Sequence, residues 1–213
     1  MNMRSRPERA RPASDEVRAR LLDAAETLLT ERRPVAITSR DIARSAGLSD
    51  GVLYNHFADK HELLLAALVR RFDRITAAYN ADAVQPGVAD VVDGLRTVVR
   101  RAHAVQVALL PMLANLVGDP ALLERFLVEI HRTPLGGEHF TGPVRRFLEG
   151  ERDAGRVGVV DLEGATDLIV GAVLLQGLLD VLGHRAPEDR DRRLDSIASA
   201  LLSGLQPTAE VTS

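Results

Sequence analysis

The sequence of 213 residues contains no cysteine, and aromatic residues make up only 3% of it. Without cysteine the chain can form neither a disulfide nor a thiolate metal site. Its only lysine, Lys60, does not follow a glycine-rich loop, and the sequence has no dinucleotide-binding glycine motif and no histidine pair at helical zinc-site spacing. We therefore expect that the protein is not an enzyme and uses no cofactor or metal ion, although His131 and His139 would make a weak metal pair.

Long hydrophobic runs are also missing. The apolar, uncharged stretch from Leu168 to Leu179 is bracketed by Asp167 and Asp180 and is shorter than the ~20 apolar residues that a membrane helix needs. We expect it to form a buried helix, and we expect no membrane partner. The first twenty residues contain no apolar run of the kind found in secretory signals, so we expect a cytoplasmic, nucleoid-associated protein.

Charge is unevenly distributed along the chain. Residues 1–74 carry 14 Lys+Arg against 11 Asp+Glu, a net charge of +3, whereas the remainder carries 13 against 19, a net charge of −6. Most of the N-terminal excess comes from Arg4, Arg6, Arg9 and Arg11, which alternate with prolines in a segment too polar to fold alone. We expect residues 1–13 to form a disordered basic arm. Such an arm could lie in a DNA minor groove or act only as a solubilising tail.

The most informative segment runs from Thr38 to Phe57. Thr38 with Asp41 three residues later has the form of a capping box, which predicts a helix beginning at Ser39. Gly47 predicts the end of that helix, because glycine adopts the left-handed conformation at little cost. Ser49 is the predicted cap of a second short helix. Two short helices joined so tightly are typical of a helix-turn-helix, whose second helix fits a DNA major groove.

The surrounding pattern extends this module. An upstream helix is predicted from the apolar spacing of Val17, Leu21, Ala25 and Leu28. Asp59 with Glu62 repeats the capping-box form and predicts a further helix beginning near Lys60. The spacing alone also fits a three-helix bundle that never contacts DNA.

These residues together resemble the DNA-binding domain of the tetracycline-repressor-like (TetR) family of bacterial transcriptional regulators. The resemblance covers about residues 14–68 and is carried by the following segments: Leu22-Asp23-Ala24-Ala25, Glu31-Arg32, Thr38 to Ala43, Ala46 to Ser49, Gly51 to Tyr54, His56-Phe57 and Lys60 to Leu64. It implies a homodimeric, all-α regulator of about nine helices. Its DNA-binding domain would occupy residues 14–60, its effector-binding and dimerisation domain residues 61–206, and a tail residues 207–213.

The resemblance also implies specific DNA contacts. Phosphate contacts would fall on Thr38, Ser39, Arg40, Tyr54 and Lys60, and base contacts on Ser49, Asp50, Gly51, Val52 and Asn55, with His56 as a weaker candidate. Two positions depart from the family pattern. Arg33-Pro34 replaces the usual glycine and aromatic residue, so the first helix should stop by about Arg32. Asp50 would repel phosphate but could accept a hydrogen bond from a cytosine amino group.

Beyond residue 60 the pattern predicts helices throughout. The first would run to about residue 80 and belong to both domains, so that an effector at its far end could move the DNA-binding domain. Others are expected at about 88–108, 109–117, 120–132, 141–155, 162–183 and 188–205. The last two carry apolar stripes that are either intramolecular core or the four-helix dimer interface of the family, with these expected interface residues: Leu168, Ala172, Leu175, Leu179, Leu194, Ile197, Leu201 and Leu205.

The effector site is the least defined prediction. Polar or soft residues scattered through the middle helices could line an apolar pocket, namely His103, Gln106, Met112, Asn115, His131, His139, Phe140 and Gln176. The predicted function is a sequence-specific regulator of a palindromic double-stranded operator, most simply a repressor that an apolar small molecule releases. The alternative is a DNA-bound adaptor or nucleoid protein whose C-terminal domain binds another protein. A sealed apolar cavity would favour the first function, and a solid core with an exposed groove the second.

Overall fold

The computed structural model describes residues 14–81, 83–133, 138–158, 161–184 and 186–205. Over these ranges it contains eight α-helices and three short 3₁₀ turns and no β-strand, which confirms the all-α prediction. The basic arm and the C-terminal tail lie outside the described residues. The chain divides into two units, the first ending at Leu68 and the second beginning at Val69.

The first unit is a small helical domain. Its elements are α1 (Ser14–Glu31), a 3₁₀ turn (Pro34–Ala36), α2 (Ser39–Ser45), a second 3₁₀ turn (Val52–Asn55) and the start of α3 (Lys60–Ala81). α1 ends at Glu31, as predicted, because Arg33 takes an extended conformation (φ −67°, ψ 145°) ahead of Pro34. The core is apolar and includes Leu21, Ile37, Ile42, Leu53 and Leu63, all fully buried.

Local caps set the bounds of α2 and α3. The hydroxyl of Thr38 accepts a hydrogen bond from the Asp41 amide (3.1 Å), and the Asp41 carboxylate accepts one from the Thr38 amide (3.0 Å), which confirms the capping box. Gly47 leaves α2 with a φ of 65°, also as predicted. Asp59 accepts from the Glu62 amide (2.8 Å), but the Glu62 carboxylate returns to the amide of Ala58. The second capping box therefore differs from the prediction in one hydrogen bond, because the Glu62 carboxylate binds the amide of Ala58 and not that of Asp59.

The predicted second helix of the helix-turn-helix is only a four-residue 3₁₀ turn. Ser49 does not cap it; Gly51 occupies the cap position, and the turn has no side-chain cap. Its bonds link residues three apart, as in Val52 amide to Ser49 carbonyl (3.1 Å) and His56 amide to Leu53 carbonyl (3.0 Å). A first turn that contains glycine and lacks a cap has little intrinsic helical stability, and 3₁₀ segments stay short.

The second unit contains the rest of α3 and five further helices. These are α4 (Val91–Leu116), α5 (Pro120–His131), α6 (Thr141–Asp153), α7 (Leu162–Val181) and α8 (Arg190–Leu205). The predicted break between residues 108 and 109 is wrong, because α4 is continuous and carries Pro111 inside it. Leu109, Met112 and Leu116 continue the buried stripe across this proline, so packing outweighs its cost to the helix.

α4 is the central helix of this unit and contacts α5, α6, α7 and α8. Gly94 lets α4 pack tightly against α6. A Cβ on Gly94 would lie 2.7 Å from Cζ of Phe147, too close for any residue but glycine without a shift.

A buried ion pair ties the loop before α4 to α6. The Glu151 carboxylate, 1% exposed, accepts two hydrogen bonds from Arg156 (2.6 and 2.7 Å) and one from the Gly87 amide (3.0 Å).

The prediction that Leu168 to Leu179 forms a buried helix is wrong. α7 packs against α4 and α6 on one side, but its other side exposes apolar side chains. Among the described helices it is the one long and apolar enough to cross a membrane by length and composition, and only 22% of its most apolar stretch is buried. One such helix is weak evidence for a membrane span. The exposed side therefore needs an explanation other than burial within the chain.

Candidate nucleic-acid interface and ligand cavity

Three hydroxyl groups lie close together at the N-terminus of α2. The Tyr54 ring is 58% exposed, and its hydroxyl donates to Oγ of Ser39 at 3.3 Å. Ser39 is the first residue of α2, and Thr38 precedes it as the cap. Helix N-termini attract anions because their first amides are free and the helix dipole is positive there. The hydroxyls and amides thus form a polar surface suited to a phosphate oxygen.

Arg40 and Asp50 connect α2 to the turn before the 3₁₀ segment. Nε of Arg40 donates to Oδ2 of Asp50 at 2.9 Å, and both side chains are largely exposed. An exposed ion pair of this kind is weak, about 0–1 kcal/mol. Asp50 was predicted to read bases and Arg40 to hold a phosphate. In this structure the two side chains therefore bind each other.

Arginines of α1 support the turn, and sequence reasoning missed them. Nη2 of Arg20 donates to the Ala46 carbonyl at 2.5 Å, which satisfies a free carbonyl at the end of α2. The Arg18 guanidinium lies 4.9 Å from the centre of the Phe57 ring, within cation–π range. Both side chains extend from the polar face of an amphipathic helix, and the sequence offers no signal that distinguishes them from solvated arginines.

The other predicted DNA contacts lie on the segment around the 3₁₀ turn, apart from Lys60 at the start of α3. Ser49, Gly51 and Asn55 are exposed, whereas Val52, His56 and Lys60 are half-buried. Leu53 is fully buried and anchors the turn to the core of the unit. The segment therefore exposes small and polar side chains, while Leu53 holds its backbone against the core.

Residues 21–67 match the model of the family described as bacterial regulatory proteins, tetR family. This match assigns the N-terminal domain of the chain to the tetR family.

Individual relatives agree with that assignment. An uncharacterized HTH-type transcriptional regulator of Mycobacterium tuberculosis is 35% identical over 119 residues, 56% of this chain and 52% of that protein. The HTH-type transcriptional repressor KstR2 of the same species is 34% identical over 91 residues, 43% of this chain and 41% of that protein. The chain thus spans about half the length, or less, of the curated relatives it matches. These relatives are described as regulators and not as enzymes.

A solved structure extends the similarity to most of the chain. The flavonoid-responsive regulator FrrA shares 25% sequence identity with this chain and has a TM-score of 0.66, covering 92% of this chain and 100% of its own. The similarity in fold therefore extends beyond the N-terminal domain into the second unit.

The second unit contains an apolar cavity of about 200 Å³ that is partly open to solvent. It lies between α4, α7 and the residue that precedes α6, and it is lined by Gln106, Leu109, Leu110, Leu113, Phe140, Val170 and Leu174. Gln106 is the one polar residue in this lining. Its side chain is 4% exposed, and its Oε1 has no hydrogen-bond partner among the described residues. A buried acceptor without a partner is costly, by about 1–3 kcal/mol.

Of the predicted effector residues, the structure brings Gln106 and Phe140 to this cavity. The lining does not include His103, Met112, Asn115, His131, His139 or Gln176. His131 is exposed on α5, and the buried His139 ring has Nε2 2.8 Å from Oγ1 of Thr133. The leucines of the lining were missed because apolar residues of a central helix look the same in sequence whether they face a cavity or the core.

His103 belongs to a buried ionic cluster instead. Its Nε2 lies 3.0 Å from Oδ2 of Asp180, and the same oxygen accepts from Nε of Arg190 at 2.8 Å. Burial lowers the pKa of His103, and the nearby Asp180 carboxylate partly opposes this. The cluster joins α4, α7 and the start of α8.

The exposed side of α7 carries several large apolar side chains. Two of the predicted interface residues, Leu168 and Leu175, are exposed, and Ala172 and Leu179 are half-exposed. The structure adds further exposed residues that the prediction omitted: Leu174, Leu178, Val181 and Leu182. On α8, Ile197 and Leu201 are half-exposed, but Leu194 is only 2% exposed and packs within the chain, so it is not available to a partner. The side chain of Leu205 lies outside the described residues.

Proposed function

We propose that this tetR-family chain is a sequence-specific DNA-binding transcriptional regulator that acts as a homodimer in the cytoplasm. The observation that carries the proposal is the outward-facing segment from Ser49 to Asn55 beside the polar N-terminus of α2. Small side chains let the turn approach base edges in a major groove, while Tyr54, Ser39 and Thr38 hold the adjacent phosphates. The similarity to proteins described as transcriptional regulators supports this reading.

We further propose that the regulator is a repressor which an apolar small molecule releases from a palindromic operator. KstR2 is described as a repressor and FrrA as flavonoid-responsive. The apolar cavity in the second unit offers a small molecule a site, which supports a ligand-responsive protein.

The exposed side of α7 is the proposed dimer surface. A palindromic operator has two half-sites, so two DNA-binding domains related by twofold symmetry must be held together. Apolar side chains at Leu168, Leu175, Leu178 and Leu182 recur at helical spacing and would pair with the same residues of a second copy. A bilayer is a poorer partner, since α7 packs against α4 and α6 and carries the exposed Asp167.

Two variants test DNA binding by different routes. Replacing Tyr54 and Lys60 together by alanine removes proposed phosphate contacts. Affinity should therefore fall for all duplexes, and the salt dependence of binding should weaken by the equivalent of about one phosphate contact.

Replacing Asn55 by alanine removes a proposed base contact, so the sequence selected from a random duplex pool should change. The preference for the contacted base pair should fall by about 1–3 kcal/mol. Unchanged affinity in the first variant and an unchanged selected sequence in the second would overturn the assignment.

A further inference from the structure

We infer that the α7 helices of two copies of this chain pair antiparallel, with Leu175 of each copy packed against Gly171 of the other. The inference rests on the dimer surface proposed above and specifies the orientation and register of the pair. It follows from a glycine that the chain itself does not require and from the order of large and small residues on the exposed side of α7.

Gly171 lies in the middle of α7, where no contact within the chain requires a glycine. Glycine is the least favourable residue in a helix interior after proline. The other glycines within α4, α6 and α7 each have a neighbouring side chain within 3.3 Å of the place where a Cβ would be, whereas a Cβ on Gly171 would meet no described atom within 4 Å. Gly171 is also exposed and does not have a positive φ. The space beside it is therefore open to a group from another molecule.

The residues around Gly171 have the spacing of a helix-packing seam. Leu168, Gly171, Leu175, Leu178 and Leu182 follow one another at intervals of three, four, three and four residues, and all five are exposed. We call these residues the α7 seam. Alternation of three and four is the pattern by which one helix packs along another in a coiled coil. The surface therefore suits a second helix.

The α7 seam is complementary in size to its own copy when that copy runs in the opposite direction. A twofold axis beside Val173 places Gly171 opposite Leu175 of the other copy and Leu168 opposite Leu178, because both pairs are centred on residue 173. Each glycine is then covered by one leucine. In a parallel pair each residue would meet its own copy, so two glycines would face each other and leave a void. The order of the residues thus favours a second copy in the antiparallel orientation.

Single cysteines test the register, and the natural chain has no cysteine that would interfere. Leu168→Cys and Leu178→Cys are made as separate full-length variants with tags of different size, and they are oxidised alone and after co-expression. We expect a disulfide-linked pair of mixed mass after co-expression, because the axis places the two positions opposite each other. Neither variant alone should form a linked pair. Two copies of residue 168 would lie about ten residues apart along the helix, ~15 Å, which is beyond the ~7 Å that a disulfide spans between Cα atoms.

Leu127→Cys is the matched control. Leu127 is an exposed leucine on α5, outside the α7 seam, and its cysteine variant should give no mixed product when co-expressed with Leu178→Cys. A linked pair from Leu168→Cys alone, or an equal yield of mixed product with Leu127→Cys, would contradict the register.

Exchange of the two central residues tests the same contact through affinity. Gly171→Leu should weaken the dimer about tenfold or more, because two leucines then meet in each central layer. Leu175→Gly should weaken it by a similar factor, because each layer then contains a void. The double variant again has one leucine and one glycine in each layer, so its dissociation constant should return close to that of the natural chain.

Sedimentation equilibrium measures the three dissociation constants. Both residues are exposed, so the core is not altered, and helical content checks the fold of each variant. A dimer strengthened by Gly171→Leu, or losses that add in the double variant, would overturn the antiparallel contact.

DNA binding is measured separately, by selection from a random duplex pool. A natural chain that sediments as a dimer and selects a duplex, but forms no mixed disulfide, overturns the register while the proposed regulator stands. A mixed disulfide at the expected positions in a protein that selects no duplex supports the register, and the proposed DNA-binding function then fails. A natural chain that stays monomeric overturns the pairing itself.

Discussion

At the scale of single residues, Arg40 and Asp50 have a mutual contact that changes the expected role of each. The carboxylate holds the guanidinium at 2.9 Å, so the cation is partly neutralised before any DNA arrives. Asp50 then acts less as a base reader than as a restraint on phosphate binding by Arg40. We therefore expect that removing the Asp50 carboxylate strengthens binding to duplexes that lack the operator sequence.

In Asp50→Asn we expect affinity for non-operator duplexes to rise about fivefold, the equivalent of about 1 kcal/mol released from an exposed ion pair. The freed arginine should also steepen the salt dependence by up to one phosphate contact. Fluorescence anisotropy over a salt series measures both quantities. Glu31→Gln removes the same charge from an exposed site in the same domain and should change neither. If Asp50→Asn instead alters only the selected operator sequence, Asp50 reads bases.

Glu151 is a buried carboxylate that depends on its hydrogen-bond partners. It is nearly inaccessible and accepts hydrogen bonds from Arg156 and from the Gly87 amide. Arg156→Met should leave a buried carboxylate without its counter-charge, and we expect the free energy of unfolding to fall by about 3 kcal/mol. Urea denaturation measures this.

Arg152→Met is the matched control for that variant. Among the described residues Arg152 pairs with its exposed neighbour Asp153, at 2.8 Å, and a surface pair contributes about 0–1 kcal/mol. A similar loss in both variants would mean that Glu151 is stabilised by something other than Arg156.

At the scale of whole elements, the N-terminal domain was predictable because its signals are local. Thr38 with Asp41, Gly47 and Arg33-Pro34 each act within one turn of chain, and each was confirmed. The 3₁₀ turn at Val52–Asn55 was not predicted as such, because the choice between one helical turn and a longer helix depends on Gly51 and on packing around Leu53.

The second unit was less predictable because its signals depend on tertiary contacts. α4 touches four other helices and is apolar on several sides, so its sequence cannot reveal that Leu109, Leu110 and Leu113 face a cavity. The continuity of α4 through Pro111 likewise depends on packing on either side. For α7 the apolar residues were recognised, but the pattern alone could not show which of them the chain itself buries.

The cap of α2 gives a prediction about pH. Hydrogen bonds from the hydroxyl and the amide of Thr38 hold the pKa of Asp41 below its ordinary value of 3.8. A carboxyl whose pKa is lowered by folding stabilises the fold above its unfolded pKa, and this contribution is lost as the pH falls through the folded value. Asp41→Asn should therefore be less stable than the natural chain at neutral pH, and the difference should vanish in acid.

Urea denaturation midpoints measured from about pH 7 to below pH 3 test this linkage. Thr38→Ser keeps the hydroxyl that caps α2 and should preserve the pH dependence of the natural chain. A stability difference between Asp41→Asn and the natural chain that stays constant over the whole range would show that the Asp41 charge contributes nothing to the cap.

At the scale of the whole molecule, the exposed side of α7 is the proposed dimer surface. Leu175, 52% exposed, lies centrally on that side between Leu168 and Leu182, so a twofold axis near it would bury it against its own copy. Leu175→Glu places two carboxylates at that axis without disturbing the core. We expect sedimentation velocity to show a monomer, with a helical content equal to that of the natural chain.

Leu127→Glu is the matched control, because Leu127 is also an exposed helical leucine, 44% accessible on α5, but lies on another helix. This variant should remain dimeric. The monomer formed by Leu175→Glu should still bind an isolated half-site through phosphate contacts, yet it should lose the tight binding that needs two linked domains. A dimer that persists in Leu175→Glu places the interface away from α7. A monomeric natural chain that partitions into lipid vesicles would instead assign the apolar side of α7 to a membrane.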